Sequence, residues 1–122
     1  MSDWTTDELA RLDSTDELHI SGRRADRSLR KPVIIWMVTH NDDLYVRSVN
    51  GADAAWFRGT QIAGLGHISA GGVDKDVAFT RVTDLDDELD AAYSAKYPQY
   101  RSAVDSINSA VARTTTTRVD PA

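Results

Sequence analysis

The sequence predicts an α+β, mostly β fold: an antiparallel, closed or nearly closed barrel with helices at its edges. Three observations favour this fold. About six segments with β-type patterns lie close together in a short chain, turn signals of the hairpin type join most of them, and amphipathic helical patterns lie before, between and after them. The length of 122 residues corresponds to a single domain, residues 1–122, that buries roughly two thirds of its unfolded surface.

The order of elements follows from local patterns of hydrophobicity, capping and turn residues. We expect a helix at 5–12, a strand at 18–21, a basic loop at 23–31, strands at 33–38 and 44–49, a short helix at 53–63, a hairpin at 67–82, helices at 84–97 and 100–111, and a last strand at 114–119.

Each element of the first half has a physical reason. Thr5 or Thr6, followed by acidic residues, suits a helix start, because a hydroxyl accepts from an early backbone N–H and acids favour the positive end of the helix dipole. The run Val33–Val38 is continuously apolar, which predicts a strand buried on both faces at the centre of the sheet. Asn41-Asp42 suits the tip of the hairpin that leads into the next strand.

The second half is justified in the same way. Asp53 suits a cap for the short helix, and Gly71-Gly72 suits a hairpin turn. Thr83 or Asp84 would cap the clearest helix, whose residues 85, 89, 92, 93 and 96 recur at helical spacing. The β-branched residues at 114–119 are typical of a strand.

Composition excludes several classes of protein and site. The chain contains 41% hydrophobic and 27% charged residues and no cysteine, so it predicts a soluble globular protein without disulfides, thiolate metal sites or a cysteine nucleophile. The acidic first residues match no signal or transit peptide, and no apolar run is long enough to span a membrane. We therefore expect a cytoplasmic protein with no membrane partner.

Charge is unevenly distributed along the chain. The net charge is -5, yet the segment 23–31, RRADRSLRK, has five bases and one acid, a local charge of +4, so the remainder carries -9. The negative remainder repels phosphate backbones and argues against a nucleic acid partner. The basic segment either binds the phosphate of a small ligand or is a solvated loop that pairs with acidic helices.

Three stretches of sequence are similar to a known family. They are DLYVRSVNG, AAWFRG and GLGHISAGGVDKDVAF, and the resemblance extends over nearly the whole chain, including the later DAAYSAKYPQY. They resemble the bacterial family called domain of unknown function 2255, which in turn resembles the deazaflavin-dependent nitroreductases. The resemblance implies the flavin-binding split-barrel fold, a flavin (FMN) or deazaflavin cofactor without a metal, and hydride transfer on a small molecule.

The chain departs from the nitroreductase pattern at two points. Gly59 stands where those proteins have an asparagine. The sequence Ser48-Val49-Asn50-Gly51 replaces their cofactor-phosphate turn, so the lysine and the serine that contact the phosphate there are not present at the matching positions. Arg30-Lys31-Pro32 matches their basic hairpin end. A second hypothesis is therefore a non-enzymatic small barrel, a binding or interaction module that has lost the cofactor site.

Eight residues are candidates for cofactor binding, and most have a structural alternative. Arg30 and Lys31 would bind phosphate, or belong to a solvated loop. The rings of Trp36 and Trp56 either stack on the cofactor or fill the core. Arg47 either binds a ligand, forms a structural ion pair or extends its charged end to the solvent at the rim. Asn50 and Gly51 offer backbone amides, or only serve a turn. The other four candidates are Trp36, Arg47, Trp56 and Arg58.

Metal and assembly complete the expectations. The three histidines lie far apart without ligand spacing, so we expect no metal site. The split-barrel resemblance implies a homodimer, with the segment 50–58 close to the contact.

Overall fold

The computed structural model describes residues 3–122. Its helices are α1 (Thr6–Asp13), α2 (Ala55–Ala63), α3 (Asp86–Lys96), α4 (Arg101–Ile107) and α5 (Ala110–Arg113). Its strands are β1 (Leu18–Gly22), β2 (Val33–Ile35), β3 (Val38–His40), β4 (Asp43–Val46), β5 (Leu65–Ala70), β6 (Val73–Arg81) and β7 (Thr117–Pro121). A 3₁₀ turn covers Gly51–Asp53.

The seven strands form one antiparallel sheet in the order β2-β1-β5-β6-β7-β4-β3. Strands β2 and β3 follow each other in sequence but lie at opposite edges of this sheet. The sheet curls into a half-barrel, and the two residues Trp36-Met37 cross from one edge to the other. The predicted α+β antiparallel split barrel is therefore confirmed.

The predicted central strand at 33–38 is wrong. The segment is two short edge strands joined by the crossover, and Ile34 is 54% exposed. The apolar run is continuous for another reason: Met37 is fully buried in the core inside the barrel, and Trp36 packs on the C-terminal helices. An uninterrupted apolar pattern does not distinguish one buried strand from two edge strands that share a buried link.

Two hydrophobic clusters hold the fold together. The larger fills the half-barrel and includes Leu12 from α1, Leu18 and Ile20 from β1, and Ile68 from β5. The smaller lies outside β3 and β4, where α3 and α4 cover the sheet. Its buried members are Val38, Tyr45, Leu89, Tyr93, Tyr97, Val104 and Ile107. The predicted packing of the helix at 84–97 through residues 85, 89 and 93 is confirmed.

Several local predictions are confirmed. Thr5 caps α1 in a capping box, with its hydroxyl accepting from the Glu8 backbone and the Glu8 carboxylate accepting from the Thr5 amide. Asn41 and Asp42 form the predicted hairpin tip with φ values of 48° and 67°, the left-handed pair that a two-residue hairpin turn requires.

Other local predictions are wrong. The residue before α2 is Ala54 and the one before α3 is Leu85, and neither helix has a side-chain cap. The helix predicted at 100–111 breaks at Asn108 and Ser109, because the Ser109 hydroxyl caps α5 by accepting from Ala112. The last strand begins only at Thr117, since the Thr115 hydroxyl donates to the Ala112 carbonyl.

Helix α2 lies directly on β1. A Cβ atom at Gly22 would be 2.6 Å from the Gly59 carbonyl oxygen, closer than such atoms approach in proteins. The missing side chain of Gly22 thus lets the two backbones meet, and this contact fixes the position of the residues on α2 relative to the sheet.

Candidate functional site

An apolar cleft of about 220 Å³ opens between β2, α2 and α4. Ile34 and Ile35 of β2 form one wall, Trp56 in the first turn of α2 forms another, and Ala103 of α4 closes the side. Trp36 also lines it. The structure therefore brings the predicted aromatic candidates Trp36 and Trp56 to a single cleft.

Trp36 is held by the end of α3. Its ring stacks on Tyr97 with centroids 3.9 Å apart and an interplanar angle of 4°. The Tyr97 hydroxyl accepts from the Met37 amide at 3.3 Å and lies 2.7 Å from the Asp16 carbonyl oxygen. The Lys96 ammonium donates to the Met37 carbonyl at 3.1 Å. These bonds fix the crossover and hence the tryptophan.

Burial shifts the pKa values of both Lys96 and Tyr97. Desolvation lowers the pKa of Lys96, with Asp13 and Asp16 opposing the change, and desolvation raises the pKa of Tyr97. The tyrosine is therefore a neutral hydroxyl throughout the physiological range.

Arg47 lies at the bottom of the cleft and is only 1% exposed. Its guanidinium donates to Asp90 Oδ1 at 2.7 Å, Asn108 Oδ1 at 3.1 Å and Thr116 Oγ1 at 3.0 Å. Arg113 also pairs with Asp90. Burial works to raise the pKa of Asp90, but the bonds from the two arginines outweigh it and the pKa lies below its usual range. Arg47 therefore forms a structural ion pair with Asp90, one of the alternatives predicted from the sequence for this residue.

The three basic candidates Arg30, Lys31 and Arg58 do not line the cleft. Arg30 extends over Gly59, where a Cβ atom would be 2.7 Å from Arg30 Cδ. Arg58 is exposed next to Gly59 on α2, and Lys31 is exposed beside Arg30. No acidic side chain of residues 3–122 forms an ion pair with any of the three. The absence of a side chain at Gly59 leaves room for that of Arg30.

Asn50 and Gly51 have different surroundings. Asn50 is exposed and begins the 3₁₀ turn. The Gly51 amide donates to the Ser48 carbonyl at 3.0 Å, so it is already used within the turn. Gly51 has φ 78°, and a Cβ atom there would lie 2.4 Å from a methyl group of Val111. Both facts require glycine for structural reasons.

Comparison with known families then identifies the lineage of the chain. The profile of a family described as an uncharacterized protein conserved in bacteria (DUF2255) matches residues 8–119. The chain belongs to the DUF2255 family. No functionally curated protein gave a significant match to it.

Solved structures show what the DUF2255 chain resembles in three dimensions. HutZ, the heme storage protein from Vibrio cholerae, has a TM-score of 0.63 at 10% identity, and the match covers 96% of this chain and 89% of HutZ. The conserved hypothetical protein Rv2991 from Mycobacterium tuberculosis has a TM-score of 0.56 at 10% identity, covering 100% of this chain and 80% of that one. At this identity the likeness supports the split-barrel fold alone.

Sequence reasoning missed the residues that position the site in the DUF2255 chain. Tyr97 and Lys96 hold Trp36, and Ile34 and Ala103 line the cleft. The signal was present in the helix end AAYSAKYPQY, but which strand this helix end would contact depends on the unpredicted crossover. Among residues 3–122, no helix is long and apolar enough to cross a membrane, and no group of three His, Asp or Glu could hold a metal ion.

Proposed function

We propose that the protein binds a flavin or deazaflavin cofactor in the cleft and uses it for hydride transfer to or from a small molecule. One observation carries this proposal: two tryptophans line one apolar cleft, and the segments that form its walls, α2 and the residues before β2, carry cations that have no acidic partner among residues 3–122. An apolar slot with aromatic walls suits a flat heterocycle. Cations of this kind suit its phosphate.

The size of the cleft limits how a cofactor would lie. Its 220 Å³ is below the roughly 300–1,000 Å³ of most ligand pockets. It therefore suits a ring system but not a whole nucleotide, so the phosphate-bearing tail would extend along α2, where Arg30 and Arg58 lie.

The chain's own residues would have distinct roles. Trp36 and Trp56 would contact the ring and exclude water from it. Arg30, Lys31 and Arg58 would bind phosphate, and the exposed Asn50 would donate a side-chain hydrogen bond at the rim. The bound cofactor would supply the hydride chemistry itself.

Arg47 and Gly51 would support this site indirectly. Arg47 would form the floor of the cleft with its charge already compensated by Asp90. Gly51 would shape the turn that places Asn50 at the rim.

A second candidate is binding without catalysis. It is favoured by the turn at 48–51, which lacks the lysine and serine of the nitroreductases, and by the likeness in fold to a heme storage protein. In that case the barrel would store or carry a ligand, or bind another protein through the cleft.

The test is an absorbance titration of the purified protein with FMN, a deazaflavin cofactor and hemin. We expect saturable binding of one of the first two. W56A should weaken it, and R30A/K31A should weaken it more than tenfold, because charge-assisted bonds each contribute roughly 1.5–3 kcal/mol. R101A, which removes an exposed arginine on α4, serves as the matched control. Saturable binding of hemin alone would establish the second candidate, and three flat titrations would favour a protein-interaction module.

A further inference from the structure

A larger cavity, of about 770 Å³, lies beside the cleft and shares Trp36 with it. The connection from α1 to β1 forms one side through residues 14–17, and the turn between β5 and β6 forms another through residues 69–71. Tyr100, which is 48% exposed, completes the aromatic wall. The two openings are therefore separated by one indole ring.

Trp36 and Tyr100 form two inclined aromatic faces on this wall of the cavity. The Trp36 and Tyr100 rings lie 5.8 Å apart at an angle of 46°, so their planes are inclined to each other. Electron-rich ring faces attract organic cations, and tilted pairs of this kind recognise substituted ammonium groups. Tyr97 stacks on Trp36 and keeps the indole from rotating.

The charged side chains that line this cavity are acidic, and Lys96, which does not line it, interacts electrostatically with Asp16. Asp16 and Glu17 line it, no lysine or arginine does, and neither carboxylate forms an ion pair with a cation of residues 3–122. Both carboxylates are exposed to solvent. An anionic ligand would be repelled, and a neutral apolar one would not need the carboxylates.

We propose that this cavity binds a small organic cation with a substituted ammonium group. The ammonium would lie against Trp36 and Tyr100, with Asp16 and Glu17 supplying the opposite charge. His19 and Ser69 are cross-strand partners that also line the cavity, and they offer hydrogen bonds to a polar tail. Binding of this cation needs no cofactor and does not depend on the proposed function.

The test uses choline chloride and its uncharged isostere 3,3-dimethylbutan-1-ol as probes, at constant ionic strength and with no cofactor present. Amide shifts of the ¹⁵N-labelled protein and tryptophan fluorescence report binding. We expect saturable shifts with choline, concentrated at residues 16–19 and 69–71, and none with the alcohol. Y100A, which removes an exposed ring, should weaken choline binding about fivefold, the factor that corresponds to a cation–π contact at an exposed site.

Charge is tested with a matched pair of variants. D16N/E17Q should also weaken binding about tenfold, whereas D42N/D87N, which removes two exposed charges elsewhere, should leave it within twofold. Equal shifts with both probes, an equal loss in both double variants, or shifts spread over the whole surface would each overturn the proposal. Because no cofactor is used, a flat flavin titration and a flat choline titration are separate results.

Discussion

Arg47 is a buried charge that the chain itself compensates. Replacing it with methionine should lower the free energy of unfolding by about 3–5 kcal/mol, because the partly buried Asp90 would lose a principal partner and a cluster of acceptors would lose its donor. Urea unfolding measures the change. R58A removes an exposed arginine that has no acidic partner among residues 3–122, and it should change stability by less than about 0.5 kcal/mol. A loss in R47M no larger than in R58A would contradict this account.

His67 titrates under the influence of two aspartates on the outer face of the sheet. The hydrogen bond to Asp76 raises its pKa above the ordinary 6.5, and Asp74 adds to the increase. A raised histidine pKa contributes stability that is complete below pH 6.5 and is lost as the pH rises through the folded-state value. The same pair, with Arg23, lowers the pKa of Asp76.

The prediction for this pair concerns a shift in one titration curve. In D76N the pKa of His67 should fall toward its ordinary value, because the principal hydrogen-bond acceptor loses its charge. An NMR titration of the imidazole protons measures it, with D42N as a control that removes a distant surface charge. If the pKa of His67 is the same in D76N as in the unchanged protein, Asp76 does not raise it and this account is contradicted.

At the scale of elements, the contact between β1 and α2 depends on Gly22. G22A should destabilise the protein by roughly 1–3 kcal/mol, because the new methyl group would press on backbone atoms of Gly59 and Thr60 that have no room to move. G59A is the informative comparison. Its methyl group would meet only the flexible Arg30 side chain, and alanine favours the helix by up to about 1 kcal/mol. Thermal unfolding should therefore rank G59A above G22A, and the reverse order would contradict the backbone contact.

The sequence predicts elements well where one local interaction defines them. The hydroxyl cap at Thr5 and the turn at Asn41-Asp42 are local, and they form as predicted. The crossover at Trp36-Met37 is not local, since its bonds come from Lys96 and Tyr97, about sixty residues later. The centre of the predicted sheet was misplaced for this reason.

At the scale of the molecule, we predict a homodimer that covers the rim of the cleft. Ile34 and Val49 stand 54% and 47% exposed at that rim, and the turn that follows Val49 begins the predicted contact segment 50–58. A symmetric contact of about 800 Å² per partner would bury both residues. Light scattering should give twice the monomer mass, and I34D should reduce it to 13.4 kDa. A wild-type mass of 13.4 kDa that does not change with concentration would exclude the dimer and a shared cleft.

Fold and site were predictable to different degrees. The alternation of short strands and turns was enough for an antiparallel barrel, because hairpins pair neighbours in sequence. The cleft was only partly predictable. Its two tryptophans were candidates as aromatic residues, but the side chains from β2 and α4 that join them there come from segments about seventy residues apart.

The position of β7 has a consequence for how the protein folds. This strand, Thr117–Pro121, lies between β6 and β4 and pairs with both. Without it the strand pairs fall into two groups, one with β2, β1, β5 and β6 and the other with β3 and β4, and no strand pair joins them. The sheet is therefore complete only when β7 has inserted, and until then the edges of β6 and β4 are open to pairing with other chains.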